Sequence, residues 1–114
     1  MSSSLPEADR ARLAHMLDAA RQAAAFVEGR SRADLDSDRR LSFAIMRAIE
    51  IVGEAAANVG GETKARLPGI PWANIVGMRN RLEHAYFSID ADRVWDTVHD
   101  DLPQLIIELE RVVP

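Results

Sequence analysis

Apolar residues recur along nearly the whole chain with the spacing of one face of an α-helix, and no stretch alternates with the period of a strand. The first stripe consists of Leu13, Met16, Leu17, Ala20, Ala24 and Val27. The second consists of Leu41, Ala44, Ile45, Ala48, Ile49, Val52, Ala55, Ala56 and Val59. This periodicity predicts an all-α protein.

Polar and glycine-rich segments divide the pattern into four main helices. Ser37 or Asp38 is placed to cap the second helix, and Gly60–Gly61 ends it. A third helix is predicted from Trp72 to about Tyr86. Both connections between the helices, around SRADLDSD and before Trp72, have room for a short helical turn.

The segment Ser88–Asp90 is expected to break and cap the third helix, and a fourth helix is predicted after it. Its apolar stripe consists of Val94, Val98, Leu102, Leu105, Leu109 and Val112. Pro103 lies inside this stripe and should kink or restart the helix. Short connections favour antiparallel neighbours, so the expected fold is an up-down bundle of four to five helices.

Length and composition limit the possible classes of protein. The 114 residues predict one domain spanning positions 1–114, and the absence of cysteine excludes disulfides and thiolate metal sites. No apolar run approaches the ~20 residues of a membrane span, and the N-terminus does not resemble a signal peptide, so we expect a cytoplasmic protein. The net charge of −4 argues against a protein that coats nucleic acid, although a small basic cleft remains compatible with it.

The second helix has another, semi-apolar face made of Phe43, Met46, Glu50, Gly53 and Ala57. Glycine inside a helix costs about 1 kcal/mol relative to alanine, so Gly53 suggests that another backbone approaches closely. Gly77 in the third helix suggests the same. We interpret the face as a homodimer contact through small residues; an exposed face without a partner is the alternative.

The third helix contains the stretch MRNRLEHAYF, residues 78–87, which concentrates polar side chains. Histidine can transfer protons near neutral pH, arginine can hold a phosphate by two hydrogen bonds, and asparagine offers an uncharged donor and acceptor. Arg79, Asn80 and His84 could therefore cleave an RNA phosphodiester without a metal ion. From the residues alone, a solvated helix with surface ion pairs is the stronger interpretation.

Helical geometry places these residues on different sides of the third helix. At about 100° per residue, Gly77, Asn80 and His84 share one stripe, and Arg79 is about 140° from His84. Arg79 and His84 can meet through the reach of the arginine, a distorted helix end or a second copy of the chain. The core-facing stripe consists of Ile75, Met78, Leu82 and Tyr86.

The string RNRLEHAY, residues 79–86, has the form R-N-x-x-x-H-x-Y and resembles the signature of the HEPN superfamily, most closely that of HepT-like ribonuclease toxins. The segments IEIVGEAA (49–56), IPW (70–72), IVGMRN (75–80), YFSID (86–90) and DLP (101–103) resemble the flanking blocks of that family in the same order. The resemblance covers roughly residues 10 to 112.

This resemblance implies a toxin of a type VII toxin–antitoxin system, with Arg79, Asn80 and His84 as ribonuclease residues in a cleft at a homodimer interface. It implies no cofactor. The implied partner is a minimal nucleotidyltransferase antitoxin that adenylylates Tyr86. Glu83 departs from the family pattern, which has an apolar residue before the histidine; its carboxylate can repel phosphate or pair with Arg79.

Several other features allow two interpretations. Asp96, His99 and Asp100 have a spacing that suggests a metal site, but a solvated polar face is the stronger interpretation without Cys or an H-E-x-x-H helix. Arg39 and Arg40 open the second helix and either line an RNA or partner surface or are solvated charges.

Trp72 and Trp95 are expected to anchor the core, and His15 to be structural or exposed. For the whole protein, the alternative to a ribonuclease is a dimeric, non-catalytic subunit that binds a nucleotidyltransferase.

Overall fold

The computed structural model describes residues 5–84 and 90–113 and is built from helices, with no strand in those two ranges. The elements are α1 (Glu7–Val27), α2 (Asp34–Ser37), α3 (Arg39–Asn58), α4 (Gly61–Arg66), α5 (Trp72–His84), α6 (Ala91–Asp96), a π-helical turn (Thr97–Asp101) and α7 (Leu102–Glu110). None of the described helices is long and apolar enough to cross a membrane.

The predicted all-α fold is confirmed. The four main helices correspond to α1, α3, α5 and the run from α6 to α7, and the turns expected in the two connections are the short helices α2 and α4. The third helix was expected to reach about Tyr86. The described part of α5 ends at His84, and Tyr86 lies outside the described residues.

The core is formed where α1 packs along α3. Helix α7 packs on α1, and α5 packs on α3. The large apolar residues expected in the core from the second helix and the last part of the fourth are buried: Leu41, Ile45, Ile49, Val52, Leu102, Leu105 and Leu109. Ala44, Ala55 and Val112 of the same stripes are partly buried. From α1, Leu13 and Met16 are completely buried between these helices. Each such side chain contributes about 1.5–3 kcal/mol by leaving water, so the apolar stripes determine which faces of the helices meet.

Aspartate carboxylates cap the starts of α3 and α6. Asp38 accepts a hydrogen bond from the backbone N–H of Leu41 at 3.1 Å and caps α3, as the sequence predicted. Asp90 does the same for α6 through the N–H groups of Asp92 and Arg93, at 3.0 and 3.2 Å. The sequence led us to expect Asp90 at a cap of the third helix, whereas its carboxylate caps the first turn of the next helix, α6.

A buried carboxylate also joins the start of α1 to the corner between α3 and α4. Asp9 accepts hydrogen bonds from the Thr63 hydroxyl at 2.6 Å and the Gly60 backbone N–H at 3.1 Å. The Thr63 and Gly60 hydrogen bonds, with help from Arg12, hold the pKa of Asp9 below its ordinary value, although burial opposes them. A polar clamp thus supplements the apolar contact between α1 and α3.

The last helix is interrupted before Pro103, as expected. The backbone N–H of Leu102 donates to the carbonyl of Thr97, a π-type bond, so the chain widens by one residue in this turn. Proline has no N–H and its ring crowds the carbonyl four residues earlier. The wider turn separates the ring from that carbonyl, and the helix continues as α7 instead of stopping.

Candidate active site

Helix α5 carries the candidate catalytic residues and is attached to α3 along one side. Met78 and Leu82 are buried, and Ile75 is partly buried against the core. These three positions confirm the predicted core-facing stripe, whose fourth member, Tyr86, lies outside the described residues. At the start of α5, the indole N–H of Trp72 donates to the carbonyl of Leu67 at 3.1 Å.

Helices α3 and α5 are in tight contact at Gly53, against the stem of Arg79. A Cβ atom placed on Gly53 would overlap the Cβ of Arg79, and it would lie 2.8 Å from the Arg79 Cγ and 3.3 Å from the Ile75 carbonyl oxygen. Only a residue without a side chain fits there. The glycine therefore allows the first two side-chain carbons of Arg79 to rest on the backbone of α3.

This contact corrects the interpretation of Gly53. The sequence led us to assign its missing side chain to a second copy of the chain, whereas the helix that approaches it is α5 of the same chain. A glycine inside a helix indicates that another backbone comes close, but the sequence does not tell which helix it belongs to. Of the same semi-apolar face, Phe43 and Ala57 are exposed, and Met46 is half-buried.

Gly77 differs from Gly53. A Cβ placed on Gly77 would meet nothing nearer than a terminal nitrogen of Arg81 at 4.0 Å. Within the described residues, the chain itself thus gives no steric reason for glycine at this position. The prediction that a second backbone comes close at Gly77 stays a prediction.

The remaining motif residues follow Arg79 along α5. Arg79 is half-buried, with its Nε atom inside the protein, and Asn80 is exposed. His84 is the last described residue of α5, and the side chains of Glu83 and His84 lie outside the description. Because the backbone is helical from position 72 to 84, positions 79 and 84 are about 140° apart around the axis and about 7.5 Å apart along it.

A cleft of about 680 Å³ lies between α5 and the last helices, and Ile49 and Val52 of α3 also line it. Gly77 and Arg81 line one wall, and Arg93, Asp96 and Asp100 are among the residues opposite them. The sequence did not predict this cleft, because no local pattern reports the distance between two helices that are far apart in the chain. Its lining contains two arginines and three aspartates, Asp101 being the third, so it is not an anion site by itself.

The residues considered for a metal site lie on a solvated surface. The side chains of His99 and Asp100 are 63% and 64% exposed, with 3.0 Å between His99 Nδ1 and Asp100 Oδ1, and Asp96 is also exposed. In the described ranges no three histidine, aspartate or glutamate residues are grouped to hold a metal ion. The exposure of all three confirms the interpretation as a solvated polar face.

The two tryptophans are anchors at the edge of the core. Trp72 and Trp95 are partly buried and pack against the core, as expected, and Trp95 also stacks on the His99 ring with 5.7 Å between centroids. His15, Arg39 and Arg40 are exposed.

Comparison with known proteins indicates the same family as the sequence motif that begins on α5. The model of the ribonuclease HepT-like family matches residues 16–112, so the chain belongs to this family. It is 40% identical over 79 residues to "Probable ribonuclease HepT" of Thermococcus cleftensis, an alignment covering 69% of this chain and 72% of the relative. No solved structure matches the chain.

Two further relatives carry similar names. "Putative RNase MJ1380" of Methanocaldococcus jannaschii is 37% identical over 76 residues, which cover 67% of this chain and 70% of the relative. "Putative RNase TTE0752" of Caldanaerobacter subterraneus subsp. tengcongensis is 33% identical over 87 residues, covering 76% and 78%. Family membership and these relatives support ribonuclease activity.

Proposed function

We propose that this protein is the toxin of a toxin–antitoxin system, a metal-independent endoribonuclease whose catalytic residues are Arg79, Asn80 and His84. The observation that carries the proposal is the R-N-x-x-x-H-x-Y motif, which begins on α5 of a chain that belongs to the ribonuclease HepT-like family. The motif supplies a proton-transfer group, a permanent cation and a neutral hydrogen-bonding group within six positions.

In the proposed reaction, the imidazole of His84 accepts the proton of a ribose 2′-hydroxyl. The freed oxygen attacks the adjacent phosphorus, and the bond from phosphorus to the 5′-oxygen breaks. That oxygen leaves with a proton returned by imidazolium or water. The guanidinium of Arg79 neutralises the charge that develops on the phosphoryl oxygens, and the amide of Asn80 orients the phosphate.

The position of Arg79 supports its role as a fixed cation. Its Cβ and Cγ rest in the notch formed by Gly53, and its Nε is buried, so much of the rotational freedom of a long side chain is already lost. A cation held in place before the substrate arrives stabilises a transition state at little further entropic cost.

We propose that the active site is completed in a homodimer. Positions 79 and 84 lie about 140° apart around the axis of one regular helix, and the stem of Arg79 is held against α3. Both facts favour a site in which the motifs of two copies face each other across a twofold axis. The half-buried, sterically open position of Gly77 is compatible with a second backbone at this side of α5.

Control of the toxin is proposed to act through Tyr86, two residues after His84. A minimal nucleotidyltransferase antitoxin would transfer AMP to the Tyr86 hydroxyl, releasing pyrophosphate from ATP. The bulk and negative charge of the added group would compete with RNA phosphate for the arginine. Mass spectrometry of the chain co-expressed with its partner should find the added mass of AMP on Tyr86, and modification confined to another residue would contradict the proposal.

One feature favours a second candidate function. Glu83 stands directly before His84, where the family pattern has an apolar residue, and a carboxylate beside a phosphate site opposes binding of an anion. The second candidate is a dimeric, non-catalytic subunit that binds the nucleotidyltransferase.

RNA cleavage by the purified protein distinguishes the two candidates. His84→Ala should reduce cleavage of total RNA by about 10²- to 10⁴-fold, because it removes the proton-transfer group. Arg79→Lys should also be strongly impaired, since it retains the charge and the methylene stem on Gly53 but lacks the planar fork. Wild-type cleavage should persist in EDTA, and circular dichroism should show both variants folded.

The opposite results are equally informative. Unchanged cleavage by His84→Ala would remove that histidine from the mechanism. A wild-type protein that binds its nucleotidyltransferase but never cleaves RNA would establish the binding-subunit function.

A further inference from the structure

The first half of α3 carries three arginines and a phenylalanine on one exposed side. We propose that this basic–aromatic stripe, formed by Arg39, Arg40, Phe43 and Arg47, is a docking surface for single-stranded RNA. The inference rests on the proposed ribonuclease function and adds to it the path by which the substrate reaches α5.

An exposed aromatic ring with a cation over it is the centre of the stripe. Phe43 is 57% exposed, the highest value among the large exposed hydrophobic residues of the described ranges, and the guanidinium carbon of Arg39 lies 5.6 Å from its ring centroid. The Arg47 side chain is 61% exposed. Unpaired bases stack on aromatic rings and on guanidinium planes, while arginines hold the phosphates between them.

Two of the three charges of the stripe, those of Arg39 and Arg40, are not explained by the stability of the fold, whereas Arg47 forms an ion pair with Glu54 at 3.4 Å. Arg39 and Arg40 occupy the first turn of α3, which contains no acidic residue, and the positive end of the helix dipole disfavours cations there. Across residues 5–84 and 90–113, neither of the two forms an ion pair, whereas Arg30 and Arg32 nearby are each paired with aspartates. A polyanion would supply the missing counter-charge locally at these two arginines, as a small basic surface on a protein of net charge −4 allows.

The stripe leads toward Arg79. Helical geometry places Arg39, Phe43, Arg47 and Arg40 between about 40° and 140° around the α3 axis from Gly53, on one side of it. Arg47 is about 9 Å and Phe43 about 15 Å along the axis from Gly53, and Gly53 is where the stem of Arg79 rests. A strand held at Arg79 can therefore continue along the stripe without crossing the core. It would pass Glu50 and Glu54, which the same geometry places at about 60° and 100°, and the Glu54 carboxylate is paired with Arg47.

A second copy of the chain is the other conceivable occupant, because Phe43 belongs to the face from which we first expected a homodimer. In a twofold contact the same patch meets itself, so Arg39 and Arg40, which form no ion pair with a described residue, would lie close to the same two arginines of the other copy, and only Arg47 would bring an acidic partner, Glu54. Like charges brought together across an interface are costly. The charge of the stripe thus favours RNA.

The test compares two matched double variants. Arg40→Gln/Phe43→Ala removes one arginine without an ion pair and one exposed phenylalanine from the stripe. Arg10→Gln/Phe26→Ala removes the same two residue types from α1, where Arg10 is exposed and forms no ion pair with any described residue, and Phe26 is 37% exposed. Both are made in a His84→Ala background so that the RNA stays intact.

Binding is measured by fluorescence anisotropy with a labelled single-stranded RNA of mixed sequence, over a range of salt concentrations. The stripe variant should bind about tenfold or more weakly, through the loss of a stacking platform. The magnitude of its slope of log affinity against log salt should fall by about 0.7, because one phosphate contact is lost. The α1 variant should match the parent in both measurements.

Three results would overturn the proposal. One is equal RNA binding by the two double variants, and another is no RNA binding by the parent protein. The third is a stripe variant that light scattering shows to dissociate from dimer to monomer, because the stripe would then be the contact between copies. Absence of cleavage by the wild-type chain, with RNA binding and its loss as described, would instead refute the proposed catalysis and leave the docking surface intact.

Discussion

Helices α1 and α5 both pack on α3, but they do so in different ways. Helix α1 has 21 residues and buries seven of them, including Leu13, Met16 and the carboxylate of Asp9. Helix α5 has 13 residues and is attached mainly through Met78, Leu82 and the stem of Arg79 in the Gly53 notch. It also borders a cleft. The difference shows that α1 supplies stability, whereas α5 places polar side chains next to open space.

The largest loss of stability is expected from truncating a side chain through which α1 packs into the core. Leu13→Ala removes a completely buried side chain and should lower the free energy of unfolding by about 2–5 kcal/mol. Phe26→Ala on the same helix is the control, because that ring is 37% exposed and should matter much less. Urea denaturation measures both, and equal losses would show that α1 does not stabilise the fold through its buried stripe.

The next largest loss of stability is expected from filling the notch that Gly53 forms under Arg79. Gly53→Ala introduces a Cβ that overlaps the Arg79 stem, so α3 and α5 must separate, at a cost of about 1–3 kcal/mol. RNA cleavage at a temperature where the variant is folded should fall as well, since Arg79 is displaced. A variant of wild-type stability and activity would contradict the notch.

This junction shows how far the sequence could predict the structure. Periodicity identified the core faces of α3 and α5 because burial follows the helical repeat. The glycine at position 53 indicated in addition that another backbone comes close there. The sequence could not reveal that the neighbour is Arg79 of the same chain, because that depends on how helices separated by a loop cross in space.

For the candidate site, too, the sequence indicated the local features but not the contacts between distant segments. The residue types of the motif indicate the chemistry, and the structure adds the position of the Arg79 stem and the exposure of Asn80. Pro103 predicted an interruption of the last helix without its π-helical form, and nothing local predicted the cleft. Features set by contacts distant in sequence were the ones missed.

A smaller loss of stability is expected at the polar clamp of α1. Asp9→Asn retains the shape but not the charge that accepts hydrogen bonds from Thr63 and Gly60, and should cost about 1–2 kcal/mol at neutral pH. Because the folded pKa of Asp9 lies below its unfolded value, the carboxylate stabilises the fold fully above the unfolded pKa, near about 3.9. This contribution is lost as the pH falls through the folded pKa.

The difference in unfolding free energy between wild type and Asp9→Asn should therefore be constant from neutral pH down to about 5 and should shrink in more acidic solution. Denaturation of both proteins at several pH values measures it. A difference that grows on acidification would mean that the clamp works in the protonated form.

The smallest effect is expected at Gly77, on the cleft side of α5, and it has the opposite sign. A Cβ there meets only Arg81, 4.0 Å away, so Gly77→Ala should gain roughly the helix propensity of alanine, about 0.5–1 kcal/mol. This gain applies to the isolated chain. If a second copy packs its backbone against Gly77, the added methyl group will weaken that contact instead. Thermal unfolding over a range of protein concentrations separates the two effects. A higher melting temperature at every concentration would mean that the dimer does not use Gly77. A variant whose melting temperature rises less steeply with concentration than that of the wild type would place Gly77 in the contact between copies.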